Sequence, residues 1–233
     1  MHALGIVGGI APESTIDYYR QIIARYRERR PDGHYPAIVI NSIDLRQMLD
    51  LVAAGARPAL VDYLSGEIAR LGRAGATIGL LASNTPHLVF DDLQRTSPIP
   101  LISIVEAAAQ AAEARGLARL ALLGTRFTME GGFYQDVLRQ RGVTVVVPAE
   151  AERQLVHDRY MTELVAGVFR QETRDAVLAI VERMRRDDKI DGVILGGTEL
   201  PLLIRDAAAA SIPFLDTTAI HVDAAVAKLL LSR

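Results

Sequence analysis

Short runs of Leu, Ile and Val recur along the chain, bounded by glycine, proline or hydroxyl residues, and most are followed by a longer segment with helical spacing. Strands buried on both faces read as such continuous apolar runs, and their alternation with helices marks a parallel sheet joined by crossover helices. The pattern predicts strands at 4–7, 37–41, 77–82, 101–104, 118–123, 143–147, 192–195 and 213–215. No Ser/Gly-rich or low-complexity stretch interrupts it, so a lobe boundary must be crossed by ordinary secondary structure.

The pattern also repeats. Leu4-Gly-Ile-Val-Gly-Gly, with Tyr18 in the helix that follows, parallels Leu120-Ala-Leu-Leu-Gly-Thr with Tyr134. Gly79-Leu-Leu-Ala-Ser-Asn-Thr, followed later by Ile99-Pro100-Leu101, parallels Val193-Ile-Leu-Gly-Gly-Thr-Glu, followed by Ile212-Pro213-Phe214. Paired self-similarity of this kind predicts two pseudo-symmetric, doubly wound α/β lobes with parallel sheets, residues 1–98 plus 214–233 in one and 99–213 in the other. Ligands bind beyond the carboxyl ends of parallel strands, so the active-site cleft is expected between the lobes.

Four strand-end turns carry the candidate chemistry, because each leads into a helix N-terminus with free N–H groups and a positive dipole end. The first is Gly8-Gly9-Ile10-Ala11-Pro12, in which Gly9 permits close backbone approach and Pro12 suits a first helical turn. Its spacing does not match the G-x-G-x-x-G dinucleotide fingerprint, which excludes a nicotinamide cofactor. The others are Ser83-Asn84-Thr85-Pro86-His87, Gly124-Thr125-Arg126-Phe127-Thr128 and Gly197-Thr198-Glu199. Taken singly, each Asn or Thr reads equally well as a helix cap. Taken together, in equivalent places of two lobes, they point to a carboxylate-binding cleft.

Composition narrows the partners. Half of the 233 residues are hydrophobic, enough for a large core. The 26 basic against 28 acidic residues leave a net charge of −2, which offers no field for nucleic acid or an anionic membrane. No apolar run reaches the roughly 20 residues of a membrane span, and the opening MHALGIVGG lacks the parts of a signal peptide, so a cytoplasmic protein is expected. The histidines are scattered without ligand spacing, so no metal is implied. There is no cysteine at all, which excludes disulfides, thiolate metal sites and thiol nucleophiles.

That last absence matters because the chain resembles the aspartate/glutamate racemase family of cofactor-independent amino-acid racemases. The resemblance rests on GIVGGIAPESTIDYY, the SNTPH turn, LGTRFTMEGGFY, LGGTELPLLI and FLDTTAIHVDAAV, and covers nearly the whole length. It implies two pseudo-symmetric lobes, a homodimer, no cofactor, and a small-molecule carboxylate substrate held by the turns while two cysteines face opposite sides of its α-carbon. Those cysteines would fall in CNT and GCTE patterns, which here read Ser83-Asn84-Thr85 and Gly196-Gly197-Thr198-Glu199. The resemblance implies that Asn84, Thr85, Thr125, Thr128 and Thr198 keep substrate-holding roles. A lysine common in the family would fall near Ala166, where none occurs.

Losing both thiols changes the chemistry open to the site. A thiol can be tuned to a base near neutrality, whereas a serine hydroxyl is a far poorer one and glycine has no side chain. Ser83 and Gly197 therefore cannot run a symmetric two-thiol exchange. Candidate replacements are His87, four residues after Ser83, and Glu199, beside Gly197. His157 and Asp216 with Thr217 are weaker candidates, read more simply as a helix-surface histidine and a helix cap. Arg46 or Arg126 could pair with a second carboxylate, although a surface position is the simpler reading for each. Three classes stay open: an isomerase acting at the α-carbon of a small dicarboxylic amino acid such as aspartate or glutamate, a one-sided lyase, decarboxylase or hydrolase of a small carboxylic acid, or a carboxylate-binding protein without catalysis.

Overall fold

A computed structural model describes residues 2–204 and 212–231. It divides into two compact units, one reaching Ile104 and resuming at His221, the other Val105–Ile220.

The first unit runs β1 (Ala3–Gly8), α1 (Pro12–Arg29), β2 (Ala37–Ser42), α2 (Leu45–Ala53), α3 (Arg57–Arg73), β3 (Ile78–Leu81), a 3₁₀ turn (Thr85–Val89), α4 (Phe90–Thr96) and β4 (Leu101–Ile102). Its sheet has the order β2-β1-β3-β4, and every pair is parallel. Alternation along β1 explains why both faces are covered. Leu4 and Ile6 pack with Tyr18, Ile22 and Tyr26 of α1, while Val7 points the other way into Leu60, Leu64 and Ile68 of α3.

The second unit comprises α5 (Ile104–Ala114), β5 (Arg119–Gly124), α6 (Arg126–Glu130), α7 (Phe133–Arg139), β6 (Thr144–Val146), α8 (Glu150–Thr162), α9 (Gln171–Asp187), β7 (Gly192–Gly196), α10 (Leu200–Leu203) and β8 (Phe214–Asp216). Residue Ile104 of α5 belongs to the first unit, as do the residues from His221 onward of α11 (Thr217–Leu231). The sheet order is β6-β5-β7-β8, again all parallel, so the second unit repeats the topology of the first. Ala121, Leu123, Val193 and Leu195 meet Val156 and Tyr160 of α8 and Val177, Val181 and Met184 of α9. The tyrosines that marked the sequence repeat, Tyr18 and Tyr134, are both fully buried.

Both expected lobe boundaries need correction. The 98/99 division assigned the strand at 101 to the second lobe, but Leu101 and Ile102 hydrogen-bond alongside Gly79 and Leu80 in the first sheet. The 213/214 division assigned β8 to the first lobe, but Phe214, Leu215 and Asp216 pair with Val193, Ile194 and Leu195 in the second. Each edge strand completes the sheet of the unit that precedes it in the chain.

Candidate active site

Each unit carries a set of strand-end turns, and each set has its own chemistry. In the first unit Gly9 follows β1 at φ +83, and a Cβ there would lie 2.4 Å from the Ile43 carbonyl oxygen, so only glycine fits. The Gly9 N–H donates to Thr15 Oγ1 at 2.8 Å, and Ser14 donates to the carbonyls of Ala11 and Ala82, tying the start of α1 to the β3 end. Beyond β3, Ser83, Asn84 and Thr85 are all buried, Ser83 with 7% of its surface exposed.

His87 does not supply a base to this turn. Its ring is buried and stacked on Phe90, with centroids 4.9 Å apart. Nε2 accepts the Ile104 N–H at 3.2 Å, which fixes the proton on Nδ1, and Nδ1 donates to the Ser83 carbonyl at 3.0 Å. Both nitrogens are therefore committed, and burial first, then the neighbouring His221, pushes the pKa down to about 3. The catalytic expectation for His87 is corrected: it is a neutral strut holding the turn. His221 is a second such strut. Nε2 bonds the Ile102 carbonyl at 2.9 Å and Nδ1 the Tyr18 hydroxyl at 2.8 Å, and burial lowers its pKa to about 4. Nothing in the sequence singled out His221, because its partners lie far away along the chain.

In the second unit Thr125 is the N-cap of α6, its hydroxyl accepting the Thr128 N–H at 3.2 Å and bonding Thr128 Oγ1 at 3.1 Å. Thr128 is fully buried against this cap. The Arg126 N–H is taken by His157 Nδ1 at 3.2 Å, so His157 serves the same helix start. Thr125→Val should cost about 1 kcal/mol through the lost cap and lower the midpoint of thermal unfolding, followed by circular dichroism, by roughly 2–4 °C. An unchanged midpoint would show that the hydroxyl is not what holds this turn.

Beyond β7, Gly197, Thr198 and Glu199 meet a residue that sequence reasoning passed over. A Cβ built on Gly197 would lie 2.4 Å from Tyr160 Cε2 and 2.8 Å from its hydroxyl oxygen. The Tyr160 ring thus fills the space a side chain at 197 would need. Its hydroxyl donates a short hydrogen bond to Glu199 Oε2, which also accepts from Thr198 Oγ1 at 3.0 Å. Burial, then the adjacent Glu199 charge, raises the Tyr160 pKa well above the usual phenol range, so the hydroxyl keeps its proton. α8 shows little segregation of apolar from polar positions in its sequence, which left no signal that Tyr160 faces this turn.

The remaining candidates sit elsewhere. Arg46 is exposed and paired with Asp50 at 2.9 Å, and Arg126 is exposed with its guanidinium 5.9 Å from the Phe127 ring centre. Asp216 caps α11 by accepting the Ala219 N–H at 2.9 Å, and Thr217 donates to the Leu195 carbonyl at 2.7 Å. Among the described residues no cluster of three or more His, Cys, Asp or Glu is placed to hold a metal ion, and no helix is long and apolar enough to cross a membrane.

Two parallel α/β units of one topology, each with small and hydroxyl residues at its strand ends, define a class of fold that the comparisons make specific. The Asp/Glu/Hydantoin racemase family model matches residues 7–225. The chain belongs to that family. A Yersinia pestis protein assigned to the Asp/Glu racemases is 35% identical, with 99% of this chain and 100% of that one aligned at a TM-score of 0.88. An aspartate racemase homologue from Pyrococcus horikoshii is likewise 35% identical, over 99% of this chain and 100% of that one, at a TM-score of 0.84. A broad specificity amino-acid racemase, RacX of Bacillus subtilis, is 25% identical over 150 residues, 61% of this chain and 63% of RacX. The chain thus matches less than two thirds of the length of that curated relative.

Proposed function

We propose that this chain is a racemase or epimerase that exchanges the α-proton of a small dicarboxylic amino acid such as aspartate or glutamate. The observation that carries this reading is the set of neutral polar residues at the strand ends of each unit: Ser83, Asn84 and Thr85 beyond β3, and Thr125 and Thr198 with their backbone N–H groups beyond β5 and β7. Hydroxyl, amide and backbone N–H donors at helix starts suit a carboxylate. By resemblance, positions 83 and 197 correspond to the two cysteines of the family. Ser83 keeps a hydroxyl at the first. The same reading takes the protein to be a cytoplasmic homodimer acting on a small-molecule carboxylate.

Proton NMR in deuterated water tests the reading, by following the α-proton of each enantiomer of aspartate, glutamate and related acids with the purified protein. Loss of the α-proton signal with formation of the opposite enantiomer is expected. Absence of exchange in every acid tried would reject α-carbon chemistry for them and leave a one-sided enzyme or a binding protein.

A further inference from the structure

We infer that Tyr160, backed by Glu199, is the acid and base on the α-carbon face where the chain carries Gly197. The inference rests on the reading above and adds to it a residue on a different element, α8, 26 residues beyond the quoted segment that ends at Tyr134. Three observations converge on it. The phenol oxygen lies 2.8 Å from where a side chain at 197 would begin, so a polar, proton-bearing atom stands where that side chain would be. The hydroxyl is hydrogen-bonded to a carboxylate, Glu199 Oε2, rather than left against apolar surface. The carboxylate is buried and steadied by the Thr198 hydroxyl at 3.0 Å, which fixes the direction of the pair.

The proton step balances within the pair and the substrate. As the α-carbon–hydrogen bond breaks, its proton forms a bond to the Tyr160 oxygen, while the proton already on that oxygen passes to Glu199. The electron pair stays on the substrate as its enolate, Tyr160 remains a neutral phenol, and Glu199 ends as a carboxylic acid. The reverse sequence delivers a proton to the enolate and regenerates the carboxylate. Tyr160 need never become a phenolate, in keeping with an environment that holds its proton firmly.

Tyr160→Phe keeps the ring that fills the space and removes only the hydroxyl, and Glu199→Gln keeps the shape and removes the proton acceptor. In deuterated water, each variant is expected to lose α-proton exchange for one enantiomer by roughly a hundredfold and to lose inversion of both. Exchange with retention at the Ser83 face, slow because a hydroxyl is a poor base, should be unchanged in the other enantiomer, and the unfolding midpoint of Tyr160→Phe should stay high enough for the assay temperature. A purely structural pair would instead lower both enantiomers equally, and that result, or unchanged exchange in Tyr160→Phe, overturns the inference while the proposed function stands. Absence of exchange in the unsubstituted protein overturns both.

Discussion

Acidification from pH 6.5 to pH 4 is expected to lower the unfolding midpoint of this protein steeply. His87 and His221 are buried as neutral rings, with pKa values of about 3 and about 4 in the folded chain. The unfolded chain would titrate them near the ordinary value of about 6.5, so across this window it binds more protons than the native state. Their contribution is complete above the unfolded value and is lost as the pH falls toward the folded ones. Both rings together make this on the order of 5 kcal/mol by pH 4, comparable to the whole stability of many domains, about 5–15 kcal/mol. Thermal unfolding recorded at half-unit pH steps gives the measurement. His87→Gln should flatten the slope even if it also lowers the midpoint at pH 7, and a midpoint that does not move between pH 6.5 and 4.5 would refute the account.

The second large effect concerns position 197. Gly197→Ala adds one carbon, and the ideal site for it is 2.4 Å from Tyr160 Cε2 and 2.9 Å from Cζ. Gly197 is not among the glycines with positive φ, so the backbone itself accepts alanine and the penalty is steric. Overpacking of this kind costs about 1–3 kcal/mol, a fall of roughly 2–4 °C in midpoint for each kcal/mol. Tyr160→Ala alone should also destabilise, by leaving a cavity and removing the phenol that bonds Glu199. The double variant should be more stable than the sum of the two losses, because one change makes room for the other. Strict additivity in that cycle would mean the ring does not fill the place of the missing side chain.

The eight strands were legible because each is a compact apolar run, and the observed bounds differ from the expected ones by two residues or fewer at either end. The repeat was legible for the same reason: Gly8 and Gly124 end equivalent strands, and Tyr18 and Tyr134 lie in the helices that follow. What the pattern could not assign was edge-strand membership. Leu101-Ile102 and Phe214-Leu215-Asp216 are short, and nothing local in them names the sheet they will join. The turns were legible as places and less so as roles. Thr125 and Asp216 proved to be caps and His87 a strut, all local hydrogen bonds that a sequence allows but does not demand. Tyr160 was invisible because its importance depends on an approach between α8 and the β7 end, two segments far apart in the chain.

The occupation of residue 197's space by a ring from another helix also sets the order in which sequences can change. A thiol introduced at 197 meets Tyr160 before it meets anything else, so the single substitution is penalised whatever chemistry it would restore. Shrinking Tyr160 first opens a void and costs stability with no gain. Every one-step neighbour along this route is therefore worse than the present chain, and only the paired change leads across. A chain with Gly197 and Tyr160 in place is held there by packing, so a thiol at 197 is hard to reach by single steps.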